Sequence, residues 1–208
     1  MTKKEDIVYA ALELAAEYGL KAISMSQIAG KVGLTKSSLY SHFKSKEELI
    51  NEMYSLLRNK ARNSSDVPAD YAMLFNGRGL EEILLICTSA YAGFLGDKDM
   101  MAFFKVLYAE RSTSAAAAQI MLEETERMIG SVRNLFYALV VHGKMKKDNV
   151  DTAALGYAMA IHSLIDREMD RITAGEGKAI DAPDKMGIPE DICRYIKWFS
   201  EQMEVENE

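Results

Sequence analysis

A chain of 208 residues, 49% of them hydrophobic and only three of them proline, can bury a substantial core, which excludes an intrinsically disordered protein. No apolar run reaches the roughly 18 residues of a membrane span, no signal-peptide pattern opens the chain, and Cys87 and Cys193 stand apart from any CxxC or Cys/His spacing. These features exclude a membrane protein and a zinc module; a cytoplasmic location with buried free thiols is expected. The net charge of −6 argues against a nucleic-acid partner until it is resolved by region. Residues 1–63 carry ten Lys/Arg against seven Asp/Glu, a net +3, and the remainder carries fifteen against twenty-four, a net −9. Between Glu17 and Glu47 there is no acid, while Lys21, Lys31, Lys36, His42, Lys44 and Lys46 fall in that window.

The spacing predicts a first helix over about 3–18, with Ile7, Ala11, Leu14, Ala15 and Tyr18 on one face and Gly19 as its stop. A second helix follows Ser24, where Ser24 and Gln27 have capping-box spacing. Ile28, Ala29 and Val32 form its apolar side and Gly33 ends it. Thr35 caps a third helix from Lys36 to about Phe43. Two short helices joined by a glycine-bearing turn behind a support helix make a helix-turn-helix pattern. A fourth helix starts near Lys46, with Ser45 and Glu48 as its cap pair, and runs through Leu49, Met53, Leu56 and Leu57 to about Arg62. Residues 63–78, with Pro68 and Asn76-Gly77, read as a loop or a partly helical connection.

Five further helices are expected at about 79–95, 98–110, 115–142, 151–174 and 189–205. Asp97, Ser114 and Asp151 lie near their starts, and Gly143, Gly175 and Gly177 near their ends. Pro189 at the first helical position, followed by Glu190 and Asp191, marks the last one. The expected fold is all-α with about nine helices: a three-helix helix-turn-helix domain over 1–46, and a helical domain over 47–208.

On the third helix Leu39 and Phe43 share the inward side. Ser37, Ser38 and Ser41 lie opposite, with Tyr40 and His42 flanking them. Short hydroxyl side chains let a helix approach base edges closely, and the longer Lys36, Tyr40 and His42 stand where phosphates border a groove. Lys46 opens the next helix, where free backbone N–H groups favour an anion. Ser24 and Thr35 are candidate contacts too, although their hydroxyls also serve as caps.

The run Ser24-Met25-Ser26-Gln27-Ile28-Ala29, and then Gly33 through Leu49 with its Leu-Tyr-x-His-Phe-x-x-Lys-Glu-x-Leu core, resembles the N-terminal domain of the tetracycline-repressor (TetR) family. The resemblance covers about residues 5–55. It implies a dimeric repressor of operator DNA with a ligand pocket in its C-terminal domain, and it carries the family's DNA contacts onto Lys36, Ser37, Ser38, Tyr40, His42 and Lys46. It also implies that the helices at about 151–174 and 189–205 form an intersubunit four-helix bundle.

Beyond that region the residues leave alternatives open. Ala154, Ala158, Ile161, Ile165 and Ile172, with Ile192, Tyr195, Ile196, Phe199 and Met203, suit either that bundle or a core within the chain. Leu155, Met159, His162, Asp166 and Met169 form a second stripe, in which His162 and Asp166 either bond a ligand or satisfy each other. Tyr91, Phe104, Met128, Phe136 and His162 are the candidate ligand-binding residues, in a domain whose methionines suit an adaptable apolar cavity. No phosphate loop, GxSxG, HExxH or carboxylate-pair motif is present, and His42, His142 and His162 do not cluster in the sequence. An enzyme, a metal site and a cofactor are therefore not expected. A helical interaction protein without a sensing function is the alternative, favoured if no cavity of about 300 Å³ exists.

Overall fold

The computed structural model describes residues 2–64, 71–176 and 187–205, and among them the chain forms ten α-helices and no strand. These are α1 (Lys3–Tyr18), α2 (Met25–Lys31), α3 (Lys36–His42), α4 (Lys46–Ser64), α5 (Tyr71–Phe75), α6 (Leu80–Ala92), α7 (Lys98–Glu110), α8 (Ala115–Val141), α9 (Val150–Thr173) and α10 (Glu190–Met203). A 3₁₀ turn, Gly93–Gly96, separates α6 from α7. The helix beyond the expected nine is the short α5, in the stretch read as loop or partly helical. Pro189 stands one place before α10, at its N-cap, where its carbonyl accepts from the Ile192 and Cys193 amides. Pro68 and Gly177 lie outside the described residues.

Packing groups the chain into two compact units, Met1–Ser64 with Asp97–Met121, and Ser65–Gly96 with Leu122–Glu208. In the first unit α1 packs against α2, α4 and α7. Its buried sector is therefore wider than one stripe: Ile7, Val8, Ala11, Leu12 and Ala15 are buried, whereas Leu14 is half-buried and Tyr18 is 57% exposed. The expected apolar face was thus displaced by about one residue, because neighbours flank α1 on two sides. Each fully buried aliphatic side chain there contributes about 1.5–3 kcal/mol.

Lys60 on α4 ties this unit together. Its ammonium lies 2.7 Å from Asp97 Oδ2 and 3.1 Å from Asp99 Oδ2. Asp97 Oδ1 also accepts from the Asp99 and Met100 amides at the start of α7, at 2.9 and 3.1 Å. Burial pushes the Asp97 carboxyl up, but the Lys60 ammonium and these amides outweigh it and hold it below its ordinary value.

In the second unit α10 packs on α6 and α9. Phe136, Tyr157 and Phe199 form an aromatic cluster, with ring centroids 4.8–5.5 Å apart. Ala154, Ala158, Ile161, Ile165, Ile192, Ile196 and Phe199 are buried within the chain itself. Of the two alternatives left open for that stripe, these residues serve the internal core. The apolar side chains left exposed on the last two helices are Leu155 (48%), Met159 (39%) and Trp198 (54%). Cys87 and Cys193 are half-buried and not joined in a disulfide, and burial pushes the Cys87 thiol up to about 11.

Candidate functional site

Local chemistry builds the helix-turn-helix. Ser24 Oγ accepts from the Gln27 amide at 3.3 Å, and Gln27 Oε1 accepts from the Ser24 amide at 2.8 Å, so each end of the capping box satisfies an orphan donor. At the other end of α2, Gly33 adopts φ +68°, which lets the Leu34 amide reach Ala29 O (2.9 Å) and the Gly33 amide reach Gly30 O (3.2 Å). That pair of bonds reverses the chain in a Schellman motif, and its left-handed position favours glycine. Thr35 then starts α3 by accepting from the Ser38 amide at 3.1 Å.

Leu39 and Phe43 are fully buried and fix the rotation of α3. The Lys4 ammonium stands 5.5 Å from the Phe43 ring centroid. Lys36, Ser37, Tyr40 and Ser41 are exposed on the other side, with Ser38 and His42 half-exposed. The hydroxyls already hold local bonds. Thr35 Oγ1 lies 3.0 Å from Ser37 Oγ and 2.8 Å from Ser38 Oγ, and Ser41 Oγ donates to Ser38 O at 2.7 Å. Any partner of these hydroxyls would exchange these bonds rather than add to them.

Lys46 is placed differently from a simple phosphate contact. Its ammonium donates to Leu20 O and Ile23 O, both at 2.6 Å, and to Lys21 O at 3.5 Å. It clamps the α1–α2 connection to the start of α4, and its three donors are committed there. Among the basic residues of the acid-free window, Lys31 pairs with Glu13 at 2.7 Å and Lys21 reaches Thr113 at 3.3 Å. Lys36 and Lys44 are exposed.

A small cavity of about 70 Å³ lies in the second unit, walled by α6 (Leu84, Cys87, Thr88, Tyr91), α8 (Arg127, Met128, Ser131, Val132, Leu135) and α9 (Tyr157, Ala158, Ile161). Of the expected ligand residues, Tyr91 and Met128 line it. His162 stands behind Tyr91, with Nδ1 at 3.4 Å from the Tyr91 hydroxyl. Phe136 is fully buried in the aromatic cluster, stacked on Phe199. Phe104 belongs to the first unit, 5.8 Å from Phe103, because α7 packs against α1. Sequence reasoning missed Leu84, Cys87, Thr88 and Tyr157. The signal was available on α6, where 84, 87, 88 and 91 share one face in a mixed polar and apolar stripe. Thr88 and Tyr157 share a buried hydrogen bond of 2.9 Å, and burial raises both the Tyr91 and the Tyr157 hydroxyl. Among the described residues no group of His, Cys, Asp or Glu is arranged to hold a metal ion, and no helix is long and apolar enough to cross a membrane.

Comparison with known proteins bears on both regions. Residues 7–53 match the family model described as bacterial regulatory proteins, tetR family, and residues 82–176 match that of the AefR-like transcriptional repressor C-terminal domain. The chain is 36% identical over 52 residues, 25% of each chain, to the HTH-type transcriptional repressor KstR2 of Mycolicibacterium smegmatis. It is 31% identical over 85 residues to the HTH-type transcriptional regulator AcrR of Shigella flexneri, 39% of this chain and 38% of that one. The match therefore spans well under half of either relative's length. The crystal structure of a TetR-family transcriptional regulator from Mesorhizobium loti superposes with a TM-score of 0.68 at 19% identity, covering 99% of this chain and 100% of the other.

Proposed function

Because the chain belongs to the TetR family of bacterial regulatory proteins, we propose that it is a one-component transcription repressor, with residues 1–46 binding operator DNA in the cytoplasm and residues 47–208 serving dimerisation and effector sensing. The observation that carries this reading is α3. Its back is locked by Leu39 and Phe43, and its front presents Lys36, Ser37, Tyr40 and Ser41 from a segment without acids. A helix held this way lays a small polar surface in a major groove while flanking groups take phosphates.

Two copies are needed to read two half-sites about 34–36 Å apart. The exposed Leu155, Met159 and Trp198 of α9 and α10 supply an apolar face for a second copy, which supports a homodimer through these helices. Ligand release follows if an occupant of the α6–α8–α9 cavity favours a dimer whose recognition helices are wrongly spaced. The test is fluorescence anisotropy with the DNA upstream of the gene, titrated against salt. Specific binding whose affinity falls steeply with salt supports the reading, and binding that is weak and indifferent to sequence contradicts it.

The cavity volume favours a second reading, a repressor without an effector. About 70 Å³ is far below the 300 Å³ or more of an ordinary ligand pocket. A metabolite screen by thermal shift separates the two, since an effector must both stabilise the protein and lower its affinity for DNA.

A further inference from the structure

Resting on the reading of the α6–α8–α9 cavity as the effector site, we infer that it selects neutral, mainly apolar molecules that carry one hydrogen-bond donor, such as a phenol or a small alcohol. The inference follows from how the polar groups at its wall are already paired.

Arg127 provides the cation at the wall. Its Nε and Nη2 donate to Glu124 Oε2 at 2.9 and 2.7 Å, and the Glu124 side chain is only 13% exposed. The pair neutralises itself, so an anionic ligand would have to displace a half-buried carboxylate. Leu84, Met128, Val132, Leu135 and Ile161 line the cavity beside Ser131 and the Thr88 and Tyr157 hydroxyls, which bond each other at 2.9 Å, and none of these carries a charge.

Tyr91 sets the polarity of the recognition. With the proton of a neutral imidazole on Nε2, which lies 3.8 Å from Asp166 Oδ2, His162 Nδ1 is an acceptor. In that tautomer the Tyr91 hydroxyl, 3.4 Å from Nδ1, is the donor of the bond between them. What Tyr91 retains is lone pairs, and the carboxylate behind the imidazole strengthens them as acceptors. A molecule with an O–H or N–H group satisfies Tyr91; one with only apolar atoms leaves it unpaired. Size points the same way. A cavity of about 70 Å³ takes a single ring or a short chain only as Met128, with its three rotatable bonds, yields space.

The test uses the full chain and four one-ring probes: phenol, toluene, benzoate and benzylammonium. Binding is followed by calorimetry and thermal shift, and DNA affinity by anisotropy in the same samples. Phenol is expected to bind about fivefold or more tighter than toluene, its near-isostere, the margin of one modest hydrogen bond. The two charged probes are expected to bind more weakly than either. Tyr91→Phe should bring phenol down to the level of toluene, and Met128→Ala should tighten both neutral probes while preserving their ratio. Equal binding of phenol and toluene, tighter binding of a charged probe, or a phenol preference that survives Tyr91→Phe overturns the inference. No binding of any probe overturns the inference, while the effector reading is decided by the metabolite screen. If phenol binds with the expected preference and DNA affinity does not change, the ligand chemistry stands and the effector reading falls.

Discussion

The helix-turn-helix segment and the cavity-bearing unit are built by opposite logics. In the first, most devices act within one or two helical turns: the Ser24–Gln27 box, the Gly33 reversal, the Thr35 cap and the Leu39–Phe43 anchor. In the second, Tyr91, Met128 and Tyr157 come together from three helices spread over 67 residues of sequence. A surface assembled locally is rigid and presents itself before any partner arrives. A cavity assembled from distant helices takes its size from how those helices pack.

That contrast is sharpest when its supports are removed. Phe43→Ala deletes a fully buried ring behind the recognition helix. A loss of about 3–5 kcal/mol is expected, read as a lower denaturation midpoint, together with loss of operator binding. Leu155→Glu combined with Trp198→Glu charges two exposed apolar side chains of α9 and α10. Sedimentation should then find a monomer whose fold is intact by circular dichroism, with operator affinity reduced on the order of a hundredfold or more. A dimer that survives both charges places the interface elsewhere.

Two lysines then separate support from contact. Lys46→Met strands the carbonyls of Leu20 and Ile23, and should cost about 1–3 kcal/mol of stability. Lys36→Ala should leave the denaturation midpoint where it was and lower the salt slope of DNA binding by about one ion. The reverse pattern would exchange their roles. The smallest effect is expected at Asp97. Its carboxyl is held below its ordinary value in the folded chain, so it contributes stability above the unfolded-state value that is lost as pH falls through the folded one. Asp97→Asn should therefore flatten the acid limb of a stability-versus-pH curve below about pH 4, an effect tempered by its 35% exposure.

The same contrast explains what was legible in the sequence. Caps, glycine turns and the inward pair on α3 are written in residues three or four apart, so the first four helices and the outward serines could be placed from them. Lys46 could not be assigned fully, because its partners Leu20 and Ile23 lie more than twenty residues away. Phe104 was grouped with cavity residues since nothing on α7 shows that α1 is its neighbour. Periodicity on α9 and α10 found two faces, but does not say which one the chain itself covers. The side chains Ala154, Ala158, Ile161 and Ile165 went inside, and Leu155 and Met159 stayed out.

Ser37→Glu tests the reading of α3 most directly. A carboxylate in the first turn of a helix is favourable by about 0.3–1 kcal/mol, so the folded protein should be as stable as before or slightly more so. The same charge faces the phosphates of any duplex laid against α3, and operator affinity measured by anisotropy should fall on the order of a hundredfold. A Ser37→Glu protein that folds normally and binds the same operator as tightly as the parent chain would show that this surface does not read DNA.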